Sequence, residues 1–491
     1  MNKKIFKGFV QAAIVVLLVI TSICANKGVS AQAADMRTVK TNTTITDNLD
    51  SSDDAKYYKF TVPATGYFSV TLKKVDPTLD VGNGWKFTVY DIDGNEICGY
   101  STSTSGTTEK LPFKKGKQFY VKVAQTDYWY SMGSPKYTLR VNMIESSQWE
   151  TEDNDTFKTA NVLKCGSVKK ANLWNNYDED YYKFTVDKTG YFIINFSRDM
   201  AGYGFHMSIY DKNFNELDYW SDIESSITTQ KYNFPKNTVV YIKITREDSW
   251  TSLAGVDYSI KVASVARTDW EIETMAGADS SWQTRITGVK ALSKYKTYGS
   301  LYRDYDNDVY KVIVPAKGVM SVVFTPNDAE NNLGDGYKIS IYNKIGRLIK
   351  TENEVTKRAI IRQHVVAGTY YVVVEKQDSV SNVAKKEYSI SAVVPSVSAP
   401  AVTGLSVKAG TKKATISWTK ASGVSGYQIQ YSRSSSFKAG KTVNVSASSK
   451  TYIAKNLYSK NRYYVRIRSY KKVNGKIVWG KFSAAKSAVV K

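Results

Sequence analysis

One pattern recurs three times along the first 400 residues. Residues 54–72 read DAKYYKFTVPATGYFSVTL, residues 178–196 DEDYYKFTVDKTGYFIINF, and residues 306–324 DNDVYKVIVPAKGVMSVVF. The anchoring tyrosines Tyr58, Tyr182 and Tyr310 stand 124 and 128 residues apart. Three more blocks follow each copy in a fixed order. WKFTVYDIDGNEI (85–97) matches FHMSIYDKNFNEL (205–217) and YKISIYNKIGRLI (337–349). FYVKV (119–123), VYIKI (240–244) and YYVVV (370–374) come next, and YTLRV (137–141), YSIKV (258–262) and YSISA (388–392) close each copy. A repeat of about 120 residues is long enough to bury a core of its own, so this spacing predicts duplicated domains rather than a solenoid.

Within the blocks, apolar and polar residues alternate, Val, Ile, Tyr and Phe dominate, and Gly, Asp, Asn and Pro bound the runs. That is the pattern of half-buried antiparallel strands joined by turns. With no helical period, the expected fold class is all-β, as tandem β-sandwiches. The expected boundaries are 35–145, 146–266 and 267–395.

The order D-x-D-Y-Y-x-F-x-V, I-Y-D-x-x-x-N, A-G-T-Y-Y-V-V-V (367–374) and Y-S-I resembles the bacterial pre-peptidase C-terminal domain family. So does the acidic opening segment WETEDNDTFKTA (149–160). The resemblance implies three jelly-roll-like sandwiches of the kind found beside secreted peptidases and in surface proteins. It also implies that any peptidase lies on another chain, and that calcium can bind at the opening segment. After Pro395 and Pro400 the composition changes. KKATISWTKASGVSGYQIQYSRSSSF (412–437) and YIAKNLYSKNRYYVRIRSY (452–470) resemble a fibronectin type III domain, an immunoglobulin-like sandwich expected over 399–491. In that resemblance Trp418 is the buried strand-B tryptophan, Leu457 and Tyr463 form the tyrosine corner, and Trp479-Gly480 with Ser483 enters the last strand.

At the N-terminus, Lys3, Lys4 and Lys7 precede an apolar run, and Ala31-Gln32-Ala33 supplies an A-x-A signal. Residues 1–33 therefore read as a secretory signal peptide, with a mature chain from about Ala34 or Asp35. Lipidation at Cys24 is the alternative, but Ile23 is bulky where a lipobox needs a small residue. Only Cys98 and Cys165 remain after processing, in different repeats, so no disulfide framework within a domain is expected.

The net charge of +23 is unevenly placed. Residues 400–491 hold 19 Lys and Arg and no Asp or Glu, whereas 35–399 hold 45 of each sign. A field of one sign suits a polyanionic partner and is screened by salt. On strand alternation, Arg462, Arg466 and Arg468 share a face with Tyr464 and Tyr470, and Lys471, Lys472 and Lys476 continue the charge. These six basic residues are the candidate polyanion contacts. Outside the cell, an anionic wall polymer or acidic polysaccharide is a commoner partner than nucleic acid, which is not expected.

Catalytic motifs are missing. The two histidines, His206 and His364, occupy non-equivalent positions, and no H-E-x-x-H, G-x-S-x-G or phosphate-binding glycine motif occurs. An enzyme is not expected. The carboxylates are more suggestive. Asp54, Asp178 and Asp306 each precede the anchor tyrosine by four, and Asp180 and Asp308 add a second acid where repeat 1 has Lys56. Trp149-Glu150-Thr151-Glu152 is echoed by Trp270-Glu271-Ile272-Glu273, but Asn154 and Asp155 follow only in repeat 2. Hard cations take six to eight oxygen ligands from clustered carboxylates. Glu150, Glu152, Asn154, Asp155, Asp178 and Asp180 are therefore the candidate Ca²⁺ ligands. The competing reading is turn chemistry, in which Asp and Asn bond their own backbone. Asp91-Ile92-Asp93-Gly94-Asn95 lacks the downstream Glu of an EF-hand and reads as a hairpin turn.

Asp127-x-Trp129, Asp248-x-Trp250 and Asp378-x-Val380 each place a loop ten residues before the closing tyrosine block. Trp129 and Trp250, with Tyr128 and Tyr130, are candidate ligand-binding rings, able to stack on a sugar or enter a partner's pocket. Trp220 adds aromatic surface nearby. Covering the open end of each core is the alternative role. The sequence thus predicts a secreted, non-catalytic binding or adhesion protein of the cell surface, recognising glycans, wall polymers or other surface proteins. A passive spacer of the envelope and an accessory subunit of a secreted hydrolase are the alternatives.

Overall fold

The computed structural model describes residues 36–51, 54–126, 134–198, 204–250, 252–273, 281–303, 305–327, 332–473 and 475–491. The expected signal peptide and the loop residues Tyr128, Trp129 and Tyr130 lie outside these. Repeat 1 forms β1 (Arg37–Thr38), β2 (Thr44–Asn48), β3 (Ala55–Thr61), β4 (Gly66–Lys74), β5 (Trp85–Asp91), β6 (Glu96–Thr102), β7 (Ser105–Thr107), β8 (Gln118–Gln125) and β9 (Lys136–Glu145). Repeat 2 forms β10 (Asn161–Val162), β11 (Val168–Asn172), β12 (Asp180–Thr185), β13 (Gly190–Arg198), β14 (Phe205–Tyr210), β15 (Glu216–Ile223), β16 (Ile227–Thr228), β17 (Val239–Arg246) and β18 (Asp257–Ala266). Repeat 3 forms β19 (Lys290–Ala291), β20 (Thr297–Ser300), β21 (Asn307–Val314), β22 (Gly318–Pro326), β23 (Tyr337–Asn343), β24 (Leu348–Val355), β25 (Ala359–Val365), β26 (Gly368–Lys376) and β27 (Glu387–Val393).

The topology recurs with the strand number advanced by nine. A five-stranded sheet runs β1-β3-β8-β5-β6, then β10-β12-β17-β14-β15, then β19-β21-β26-β23-β24. A four-stranded sheet runs β2-β9-β4-β7, then β11-β18-β13-β16, then β20-β27-β22-β25. Each five-stranded sheet starts with a short parallel pair, and its other pairings are antiparallel. Side chains alternate as the sequence requires. In β4, Phe68, Val70 and Leu72 are buried while Tyr67, Ser69 and Thr71 lie on the other face. Phe192, Ile194 and Phe196 do the same in β13, and Met320, Val322 and Phe324 in β22. The chain is nearly all-β, built of separate sandwiches, with one short described helix, α1 (Trp282–Arg285), ahead of β19.

The glycine of the T-G-Y-F block has a steric reason. A Cβ on Gly66 would stand 2.1 Å from the Ile144 carbonyl oxygen, and one on Gly190 2.1 Å from that of Val265. Both have positive φ, +154° and +141°. The hairpin after β5 is closed by its aspartate: Asp91 Oδ1 accepts from the Asp93 and Asn95 amides at 3.0 and 2.8 Å. Asp211 repeats this toward Asn213 and Asn215, and Asn343 toward Ile345 and Arg347. The turn reading of 91–95 holds.

The tail carries β28 (Thr403–Gly410), β29 (Lys413–Thr419), β30 (Gly426–Ser432), β31 (Lys441–Ser446), β32 (Thr451–Lys455), β33 (Arg462–Val473), β34 (Lys476–Trp479) and β35 (Lys486–Val489). One sheet runs β28-β29-β32, the other β31-β30-β33-β34, with β35 also on β33. Trp418, Leu457 and Tyr463 are buried together in its core, and the Tyr463 hydroxyl accepts from the Tyr458 amide at 3.2 Å. The chain divides into two units, Met1–Met275 and Ala276–Lys491. No described helix is long and apolar enough to cross a membrane.

Candidate metal centre in the second repeat

Three pieces of chain bring the repeat 2 acids together. Asp180 opens β12, with its ladder partner Ile244 on β17. Asp178 closes the preceding loop, its Oδ2 accepting from the Trp174 amide at 2.8 Å. Glu150 and Glu152 arrive on the segment from repeat 1, pinned by their own amides: Glu150 donates to the Lys170 carbonyl and Glu152 to the Pro112 carbonyl, both at 2.8 Å. Trp149 anchors that segment by packing on Tyr67 of repeat 1 at 4.5 Å between centroids, with the Lys110 ammonium near both rings.

Glu150, Glu152, Asn154, Asp178 and Asp180 are all at most 5% exposed, and Asp155 stands at the rim. Part of their hydrogen-bonding capacity is used. Glu150 Oε1 accepts from the Asn172 amide at 2.9 Å, and its Oε2 from the Tyr182 hydroxyl at 2.8 Å and the Asn154 Nδ2 at 3.2 Å. Glu152 Oε2 accepts from the Asn154 amide at 3.1 Å, and the Tyr258 hydroxyl donates to Asp180. The Tyr182 and Tyr258 oxygens lie 2.7 Å apart, so two phenols bridge the acids from below.

Four buried oxygens are left with no donor: Glu152 Oε1, Asn154 Oδ1, Asp178 Oδ1 and Asp180 Oδ1. One oxygen each from Glu150, Glu152 and Asp180 lie within 4.8 Å of one another, as do oxygens of Glu152, Asp155 and Asp178. Ligands at 2.3–2.6 Å from a shared Ca²⁺ lie within roughly 5 Å of each other, so each of these two triads, joined through Glu152, has the spacing of cation ligands. No described ion pair neutralises the five carboxylates. Burial first, and then mutual repulsion with Asp180, holds Glu150, Glu152 and Asp178 well above the usual carboxylate range. Asp180 itself is pushed up to about 6 by burial. A buried, unpaired carboxylate costs several kcal/mol, so the cluster needs protons or a cation. An all-oxygen, anionic donor set fits a hard divalent cation, and all six residues named from the sequence stand at this one place.

Nearby loops hold exposed rings. Trp250 is 92% exposed, and Val380, at the matching position of repeat 3, is 68% exposed. Trp220 belongs elsewhere, on β15, where it packs edge-on against Tyr232 at 6.1 Å. Sequence reasoning missed Tyr177, 87% exposed beside Asp178, with the Arg246 guanidinium 5.6 Å from its ring centroid. Its loop meets the Trp250 loop through Ser252 and Asn176 at 3.3 Å. The signal was present, since Tyr305 precedes Asp306 in the same way and is 85% exposed.

His206 joins two other groups: Nε2 lies 3.0 Å from Ser208 Oγ, and Nδ1 3.2 Å from Glu247 Oε2. The line resembles a nucleophile, base and acid, which the sequence did not nominate. Ser208, however, is 2% exposed on a strand paired on both sides, which gives substrate no approach. Thr88 and Ser340 stand at the same strand position, and Lys86 and Lys338 replace the histidine.

In the tail, Arg462, Arg466 and Arg468 do alternate with buried Tyr463, Val465 and Ile467. Yet Arg466 lies 4.2 Å from both the Phe437 and Phe482 centroids, and Arg468 4.1 Å from Trp479 and 4.4 Å from Phe482. Their Nε atoms donate to Gln430 and Gln428 at 2.8 and 2.9 Å. Arg466 and Arg468 are thus rungs of an aromatic ladder. Lys472 and Lys476 are exposed at the β33–β34 hairpin, with Lys471 beside them, and Arg462 reaches Ser487 Oγ at 3.1 Å.

Residues 398–481 match the family model for the fibronectin type III domain. No curated protein matches the chain. Among solved structures, the chain is similar to the fn3 domain of human contactin 1, at 23% identity over 20% of this chain and 86% of that one, with a TM-score of 0.18. The pre-peptidase C-terminal domain of a collagenase from Bacillus anthracis aligns at 19% identity over 22% of this chain and 94% of its own, TM-score 0.18. A two-domain fibronectin type III segment of chicken tenascin aligns at 20% identity over 38% of this chain and 98% of its own, TM-score 0.23.

Proposed function

We propose that this is a secreted, non-catalytic binding protein whose second repeat is braced by Ca²⁺ and whose basic tail attaches it to an anionic surface polymer. The observation that carries the reading is the set of four donorless buried oxygens among five carboxylates in repeat 2. Sites of this kind fill at the calcium levels found outside cells, which agrees with the signal-like N-terminus. Glu152, Asp178 and Asp180, with Asn154 and Asp155, would ligate the ion, and Glu150 would add an oxygen while holding Tyr182. The ion would supply charge neutralisation and rigidity. Tyr177 and Trp250 would present rings to a glycan or partner protein from a loop that the ion fixes. The tail supports polymer attachment because residues 400–491 carry 19 basic residues and no Asp or Glu. The three repeats as pre-peptidase C-terminal-like domains are part of the same reading.

Calorimetric titration of CaCl₂ into metal-stripped full chain tests the site. The heat of a repeat 2 site should appear in wild type and disappear in the double variant Glu152→Gln, Asp180→Asn. Identical isotherms would refute it.

A further inference from the structure

Repeat 1 keeps the frame of the repeat 2 site but not its charges. Lys56 pairs with Val123 on β8, as Asp180 pairs with Ile244 on β17 and Asp308 with Val374 on β26. Lys56 therefore stands at the ladder position of Asp180 and Asp308, each a member of a close carboxylate group with two other acids. The loop before it is closed in the same way in all three repeats. Asp54 Oδ2 accepts from the Asp50 amide at 3.1 Å, Asp178 Oδ2 from Trp174, and Asp306 Oδ2 from Tyr302. The tyrosine pair is present too, with Tyr58 and Tyr137 oxygens 2.6 Å apart.

A second change accompanies the lysine. The Tyr58 hydroxyl donates to Asp47 Oδ2 at 2.9 Å. Asp47 lies on β2 opposite Tyr137, the position held by Ala171 opposite Tyr258 and Gly299 opposite Tyr388. Repeat 1 has thus moved a carboxylate from β3 to β2 and put a lysine at the ladder position it left, its side chain about a third exposed and reaching out to the acids of the preceding loop. Lys56 Nζ is 2.9 Å from Asp50 Oδ2 and 3.6 Å from Asp54 Oδ2. The segment that brings Glu150 and Glu152 to repeat 2 has no acidic counterpart before repeat 1, because residues 1–34 contain no Asp or Glu.

We infer that Lys56 is the resident cation of repeat 1, a tethered ammonium in the place a metal ion takes in repeat 2, so that repeat 1 holds its fold without calcium. A covalently held charge needs no free ligand, whereas an ion stabilises only in proportion to its concentration over Kd. The two halves of the first unit then differ in response: falling calcium loosens repeat 2 and leaves repeat 1 intact. The inference rests on the metal reading of repeat 2.

Amide hydrogen exchange on the full chain, in CaCl₂ and in EDTA, separates the two. In wild type, EDTA should raise exchange about tenfold or more in β12 and the loop before it, and leave β2 and β3 unchanged. Lys56→Met should raise exchange in β2 and β3 equally in both buffers. Lys56→Asp should make β2 and β3 calcium-responsive, more protected in CaCl₂ than in EDTA. Calcium response of β2 and β3 in wild type, or no effect of Lys56→Met there, overturns the assignment of Lys56. Indifference of β12 to calcium, with Lys56→Met still exposing β3, would instead defeat the metal reading alone.

Discussion

At the scale of single residues, the repeat 2 acids set a pH dependence whose sign follows from their environment. A carboxyl held above its unfolded pKa binds more protons folded than unfolded, so stability falls as pH rises from the unfolded value through the folded one. With Asp180 pushed up to about 6 and its neighbours also raised, the metal-free chain should lose stability from about pH 4 upward through pH 6. Urea midpoints of metal-free wild type should fall more across that window than those of Asp180→Asn. The candidate ligands were legible in the sequence because Asp178 and Asp180 recur at matched offsets from an anchor tyrosine and Glu150 and Glu152 recur in a Trp-Glu-x-Glu segment, both of them local patterns. Asp47 was not, because it reaches Tyr58 from the opposite sheet of the sandwich rather than along the chain. Arg466 and Arg468 were legible as one face of a strand, but not as stacked rungs, because Phe437 and Phe482 come from other loops.

At the scale of elements, the repeat is enforced at the ends of strands as much as in the core. The β12 and β13 corner closes over Gly190, where an added Cβ would lie 2.1 Å from the Val265 carbonyl oxygen and 2.5 Å from the Arg267 amide nitrogen. Both obstacles are backbone, so a side chain there cannot be accommodated by a rotamer change. Gly190→Ala should destabilise repeat 2 by at least about 2 kcal/mol, read from its unfolding midpoint, while Gly288→Ala should cost less, since its Cβ would meet nothing within 4 Å. Strand order was readable from block order and alternation. The partner of each edge was not: the short parallel pairs β1–β3 and β10–β12 leave only two residues of ladder each, too little for a periodic signal.

For the whole molecule, the proposed reading divides the work between the two kinds of sandwich. The repeats are balanced in charge and the tail carries the excess. Retention of the full chain on an anionic wall polymer should fall steeply between about 0.1 and 0.5 M NaCl, and a chain lacking residues 400–491 should bind weakly at every salt concentration. Retention indifferent to both changes would remove the tail from attachment. In the proposed reading calcium is the other half of the division, acting on repeat 2 rather than on the tail. The most direct measurement is the melting of the full chain by calorimetry at neutral pH, in EDTA and then in millimolar CaCl₂. A calcium-braced repeat 2 predicts a transition that rises by several degrees with CaCl₂ and returns on re-chelation. Superimposable melting curves in the two buffers would contradict it.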